Sequence, residues 1–245
     1  MSALEFEPYA QLRESRKIII FGGGCYGALF SSRIERAKKQ GFLNYAYQLI
    51  VDLDISCKAI SGSEAPDIVF FNGDWLDFML SYFKYFANEN DYIVLPCNTP
   101  HFLFKLYKRM VETNGVGKIK MYELMEKIGY PYEIFKEDTI FVSYANWTCP
   151  HLCIEPKICP AKRIKRTWSV KEKLLTYLYQ RMKLSPKDIY VFETDLYING
   201  VALISANKIL KEYNRFVSQL EEVPDRTYMI ATISNCHGAI SFFKV

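Results

Sequence analysis

Four glycines within six residues, set at the end of a short apolar run, constrain this chain more than any other stretch. Lys17 to Gly27 reads KIIIFGGGCYG. Ile18, Ile19, Ile20 and Phe21 are bulky and consecutive, the pattern of a strand buried on both faces. Gly22, Gly24 and Gly27 fit the spacing G-x-G-x-x-G, and a helix is expected straight after, over Ala28–Gln40. In a strand–turn–helix unit of this kind the first glycine permits the tight turn and the second lets a ligand reach the backbone. The third lets helix and strand pack closely. Free N–H groups and the helix dipole then favour an anion at the turn.

The segments that follow repeat the alternation. Tyr47–Asp54 is an apolar run that ends in acid, and Asp52 lies 25 residues after Gly27. A carboxylate there accepts hydrogen bonds from adenosine ribose hydroxyls and disfavours a 2′-phosphate, which points to NAD rather than NADP. Asp54 is the alternative acid. Asp67–Phe71 is a strand closed by Asn72-Gly73, and Asp74 is the N-cap of a helix over Asp74–Ala87. Tyr92–Leu95 is a strand ended by Pro96, and Phe102–Glu112 is a helix. Strands alternating with helices imply an α/β fold, a Rossmann-like parallel sheet with helices on both faces. Ligands bind beyond the carboxyl ends of such strands. That rim is expected to hold Gly22, Gly24, Gly27, Asp52, Asp74 and the polar tip Cys97–His101. The domain so defined spans residues 1–116.

Residues 117–245 read as a smaller α+β domain. Helices are expected over Met121–Gly129, Val170–Met182 and Ala206–Glu222. Strands are expected over Thr139–Ala145, Ile189–Phe192, Leu196–Ile204 with a tight turn at Asn199-Gly200, Tyr228–Ile233 and Ala239–Val245. Between them, 146–168 has neither period, and a structureless stretch of that length is usually functional or organised by a metal. It carries Cys149, Cys153 and Cys159 in the spacing C-x3-C-x5-C. With Cys236 or His237 these could close a tetrahedral zinc site or ligate an iron–sulfur cluster. The alternatives are a reduced thiol-rich loop or a disulfide between two of the three. Lys162, Arg163, Lys165, Arg166 and Trp168 follow, a run that is either a solvated charge face or a grip for a phosphate.

Bulk properties narrow the function classes. Half of the residues are hydrophobic, enough to bury a core. The net charge of +4 suits a small anionic ligand or nucleotide, and a nucleic-acid partner is not expected. No apolar run reaches the roughly 18–20 residues of a membrane helix, so no membrane partner is expected. The first seventeen residues are charged and mixed, without the apolar core of a secretion signal. The seven cysteines are an odd count, which argues against a disulfide framework. The expectation is a cytoplasmic protein, with a homodimer as the assembly considered.

Three resemblances bear on these readings. IIIFGGGCYG, LIVDLD and FFNGDW together resemble the NAD-binding Rossmann-type domain of potassium-uptake regulators, over roughly residues 17–112. In that family an acid ends the second strand and a Gly-Asp pair, here Gly73-Asp74, follows the third. DYIVLPCNTPHF resembles the first catalytic cysteine segment of aspartate/glutamate racemases, whose two thiols work on opposite faces of the substrate Cα. Their Gly-Cys-Thr/Ser-Glu segment is missing, and Asn235-Cys236-His237-Gly238 holds the late thiol. The pattern CPxxCxEPxxCP with a late CHG resembles an archaeal family of uncharacterised proteins. The function expected is binding of an NAD-type nucleotide, with an NAD-linked oxidoreductase step if the protein is an enzyme. Cys97 and His101 would then stand near the nicotinamide, His101 as general acid or base. The alternatives are a non-enzymatic nucleotide sensor and a two-cysteine racemase.

Overall fold

The structure, a computed structural model, describes residues 16–61, 66–85, 87–96, 101–113, 119–121, 126–220 and 226–245. The strands are β1 Lys17–Phe21, β2 Tyr47–Asp52, β3 Ile68–Asn72, β4 Tyr92–Val94, β5 Lys120–Met121 and β6 Tyr132–Lys136. They continue with β7 Thr139–Ser143, β8 Ile189–Glu193, β9 Leu196–Ile198, β10 Val201–Ser205, β11 Thr227–Ile233 and β12 His237–Lys244. The helices are α1 Cys25–Lys39, α2 Lys58–Ser61, α3 Trp75–Tyr85, α4 Phe102–Thr113, α5 Val170–Tyr177 and α6 Ala206–Leu220.

Two compact units result: Met1–Thr99 with Asp195–Lys211, and Pro100–Thr194 with Glu212–Val245. The expected boundary at residue 116 falls outside the described residues, and Asp195–Lys211 joins the first unit although it lies late in the sequence.

The first unit is a sheet in the order β3-β2-β1-β4-β10-β9. Its first four strands are parallel, with Ile19 beside Leu49 on one side and Ile93 on the other. That order is consistent with a Rossmann-like part. All five β1 residues are buried, as the uninterrupted apolar run requires. The mixed character comes from β10, which runs antiparallel to β4, and from β9, its hairpin partner. Asn199 and Gly200 join that hairpin with φ of 49° and 75°, the sign a type I′ turn needs at both positions. Ile18, Ile20, Ile50, Val94, Val201 and Leu203 meet in one core with Ile34 and Ala37 of α1. Lys17 and Asp91 lie inside the unit with fully buried side chains, paired Nζ to Oδ2 at 2.9 Å.

The second unit is a sheet in the order β6-β7-β12-β11-β8, with β5 added on β12. It is antiparallel except for β8 beside β11. Its core joins Val142, Val170, Leu174, Met229, Ile240 and Phe242. The helix expected over Met121–Gly129 does not form where the chain is described: Met121 ends β5 and residues 126–130 are irregular. The missed strand β6 is an edge whose Ile134 and Phe135 are exposed, so no alternation of apolar and polar residues announces it. Helix α5 relaxes into a π-helical turn at Leu178–Met182, where the sequence gives no break.

Candidate functional site

The glycine turn follows β1, and each glycine meets a different constraint. Gly22 has φ of +87°, and a Cβ there would stand 3.0 Å from the Trp75 ring. At Gly23 a Cβ would lie 2.1 Å from Cys57 Sγ, and at Gly27 it would lie 1.8 Å from the Gly22 carbonyl oxygen. These three are glycine for backbone shape or close packing. Gly24 differs. A Cβ there would meet nothing within 4 Å, and its φ of −66° is open to any L-residue. Gly24 is also the N-cap of α1, which has no side-chain cap and no acid in its first turn. Helix geometry leaves its first N–H groups without intrahelical partners.

The acids predicted for this rim are placed beside the turn and are in use. Asp52 Oδ2 accepts from Gly23 N at 2.5 Å, and Oδ1 accepts from Asp54 N at 2.9 Å. The Asp52 carboxylate thus fixes the second residue of the turn. Asp74 caps α3, accepting from Leu76 N at 2.9 Å and Asp77 N at 3.1 Å. Sequence reasoning missed Lys58 at the start of α2, whose Nζ lies 3.1 Å from Cys25 Sγ and brings a cation to the first turn of α1. It also missed the exposed apolar side chains of Tyr26 within the turn and of Leu53 and Ile55 just after Asp52. Leu53 and Ile55 break the apolar-inside rule directly after the acid, which is the signal that could have found them.

Of the strand tip after β4, Cys97 lies outside the described residues. His101 belongs to the second unit, at the start of α4, with φ of 39°. It is 4 % exposed, its Nδ1 meets Ser241 Oγ at 2.7 Å, and its Nε2 is buried without a hydrogen-bond partner. Burial pulls its pKa down to about 3, so the ring is neutral at physiological pH. An imidazole in that setting is a core residue in form, unlike the accessible acid or base expected of it.

The cysteine loop lies wholly in the second unit and is tied by side-chain hydrogen bonds. Glu155 Oε1 accepts from Ser234 Oγ at 2.7 Å and Oε2 from Asn235 N at 2.8 Å, clamping the loop to the turn between β11 and β12. Arg166 donates through Nη1 to the Glu155 carbonyl. Trp168 Nε1 donates to Cys236 Sγ at 3.3 Å. Cys149, Cys153, Cys159 and Cys236 are free thiols, the last two buried. Burial pushes the Cys149 and Cys236 thiols up; Cys153 and Cys159 add to the first shift, while Trp168 and Arg166 oppose the second. His237 Nδ1 meets Ser143 Oγ at 3.0 Å, and desolvation lowers its pKa against the pull of Glu155. Among the described residues no three His, Cys, Asp or Glu side chains gather as a set that could hold a metal ion, so Cys149, Cys153, Cys159, Cys236 and His237 do not converge as ligands here.

Residues 103–245 match the model of the family described as "Uncharacterized protein, C-terminal domain" (AF_1314_C), which is more than half of the chain. The chain belongs to that family. No curated protein and no solved structure matches it. The AF_1314_C segment contains the cysteine loop, Cys236 and His237, whereas the glycine turn, Asp52, Asp74, Cys97 and His101 all precede it. The comparisons give no support to the likeness to potassium-uptake regulators or to racemases. Among the described residues, no helix is long and apolar enough to cross a membrane.

Proposed function

We propose that the first unit binds a nucleotide of the NAD type, with its phosphates on the Gly22–Gly27 turn and its ribose near Asp52. The observation that carries this reading is Gly24. Neither a positive φ nor packing asks for glycine there; glycine suits the N-cap position, and it leaves the main chain of the turn open to the approach of a ligand. The uncapped, acid-free N-terminus of α1 and the nearby Lys58 supply the positive potential a pyrophosphate needs.

Within that reading a binding or sensing role is favoured over an NAD-linked oxidoreductase. His101, the expected proton carrier, is neutral, buried and engaged by Ser241. A racemase is disfavoured by Cys236, whose burial raises its pKa where a proton-abstracting thiol needs it lowered.

Calorimetric titration of the full chain with NAD+ and NADH tests the proposal. Saturable binding that Gly24→Val abolishes, while the melting temperature holds, is the expected result. Binding of equal affinity in Gly24→Val would sink it. Asp52→Ala should also weaken binding, and is read only if the variant melts like the parent, since Asp52 holds Gly23 in place.

A further inference from the structure

The loop segment from Lys157 to Arg166 holds five cations and no carboxylate. It is a pinned hairpin. Ile158 bridges Lys165 in antiparallel register. Cys159 N donates to Ile164 O at 2.8 Å, Arg163 N to Cys159 O at 2.7 Å, and Arg166 N to Lys157 O at 2.8 Å. That register sets Lys157 opposite Arg166, with Lys165 beside it. Like charges on facing positions of a hairpin repel and destabilise it. Here the fold holds them together instead of spreading them.

Lys157, Lys165 and Arg166 line a cavity of about 870 Å³, together with Trp168 and with Ser169 and Lys171 at the start of α5. The size suits a small-molecule ligand. Three acids also line it, Glu155, Glu172 and Glu193, and two of them are committed. Glu193 pairs with Lys171 at 2.8 Å, and Glu155 gives both oxygens to Ser234 and Asn235. Glu172 is left against Lys157, Lys165 and Arg166. Among the described residues neither lysine pairs with a carboxylate. The Nε of Arg166 is buried without an acceptor, although burying a donor unsatisfied costs about 1–3 kcal/mol. A cation cluster fixed by backbone bonds on the wall of a cavity calls for an anion.

We propose that this cavity binds a small phosphorylated anion, its phosphate held by Lys157, Lys165 and Arg166. The site shares no residue with the glycine turn and stands or falls independently of it. Trp168, held by its own hydrogen bond to Cys236, forms a fixed wall.

Titration calorimetry with pyrophosphate tests this, on the full chain carrying Gly24→Val so that the glycine turn contributes nothing. One saturable site is expected. Lys157→Ala combined with Lys165→Ala should weaken it at least tenfold without lowering the melting temperature, because both side chains are exposed. Glu172→Gln should tighten it. AMP in place of pyrophosphate distinguishes a nucleotide's phosphate from an inorganic one, and tighter binding of either supports the site. No saturable heat with either probe, or unchanged affinity in the double variant, overturns the proposal. So does binding of single-stranded RNA that tightens with strand length while pyrophosphate fails to compete, since the cations would then be a nucleic-acid face.

Discussion

Replacing Asp91 by asparagine keeps the shape of the buried side chain and removes its charge. In the native fold that carboxylate accepts Lys17 N at 2.8 Å, Tyr82 Oη at 2.5 Å and Asn88 N at 3.2 Å, and it pairs with Lys17 Nζ at 2.9 Å. Both charged side chains have no solvent exposure. Burial already lowers the pKa of Lys17 from its ordinary 10.5, with Asp91 the group that holds it up. Without Asp91 the ammonium loses the carboxylate it pairs with, and the variant folds most cheaply with Lys17 deprotonated. At pH 7 that deprotonation costs about 1.4 kcal/mol for each of the 3.5 units below 10.5, roughly 5 kcal/mol at most. The expected loss is therefore about 3–5 kcal/mol, the range for breaking a buried pair. The sign of its pH dependence follows from proton binding. Between the folded and unfolded pKa of Lys17 the unfolded chain holds the extra proton, so stability rises with pH. The penalty relative to wild type should thus shrink between pH 7 and pH 9.5. Urea unfolding of both proteins at the two pH values measures it. A loss below about 1 kcal/mol at pH 7, well short of the range for a broken buried pair, would refute the reasoning. So would a penalty that does not change with pH. Lys17→Met combined with Asp91→Asn should recover part of the loss, since no buried charge is then left unpaired.

Three further substitutions separate the roles assigned above. Gly27→Ala should destabilise by about 1–3 kcal/mol or more, because the added Cβ runs into the Gly22 carbonyl, while Gly24→Ala should leave the denaturation midpoint nearly unchanged; equal effects would show that the two glycines are not under different constraints. His101 keeps a neutral ring down to about pH 3 whereas the unfolded chain protonates near 6.5, so stability should fall as pH drops through that window. The slope is about 1.4 kcal/mol per unit. His101→Asn, suited to the positive φ, should flatten this slope relative to wild type, and identical acid limbs would place the titration elsewhere.

The local elements of the first unit were readable because each rests on a short-range rule. The run Ile18–Phe21 can only be a strand buried on both sides, the glycine spacing dictates a turn into a helix, and Asn199-Gly200 dictates a hairpin. The rim was readable for the same reason: Gly22–Gly27, Asp52 and Asp74 end successive parallel strands or begin the helices that follow them, so topology alone brings them to one edge. The cysteine loop was visible as an aperiodic stretch, but its spacing says nothing about where thiols point. Only the fold shows that Glu155 and Trp168 hold it and that four thiols fail to gather with His237.

Sequence by itself determined the α/β character, the glycine turn and the identity of the acids beside it, since these follow from patterns of a few residues acting through backbone geometry. Tertiary structure alone decided three things. It sent β9 and β10 to the first sheet, because Ile204 finds its partner in Ile93, more than a hundred positions away. It buried His101 against Ser241, 140 positions apart, a core setting that its sequence neighbours did not suggest. It also folded a charge run into a hairpin beside a cavity, where repulsion between Lys157 and Arg166 depends on a cross-strand register that no local rule fixes.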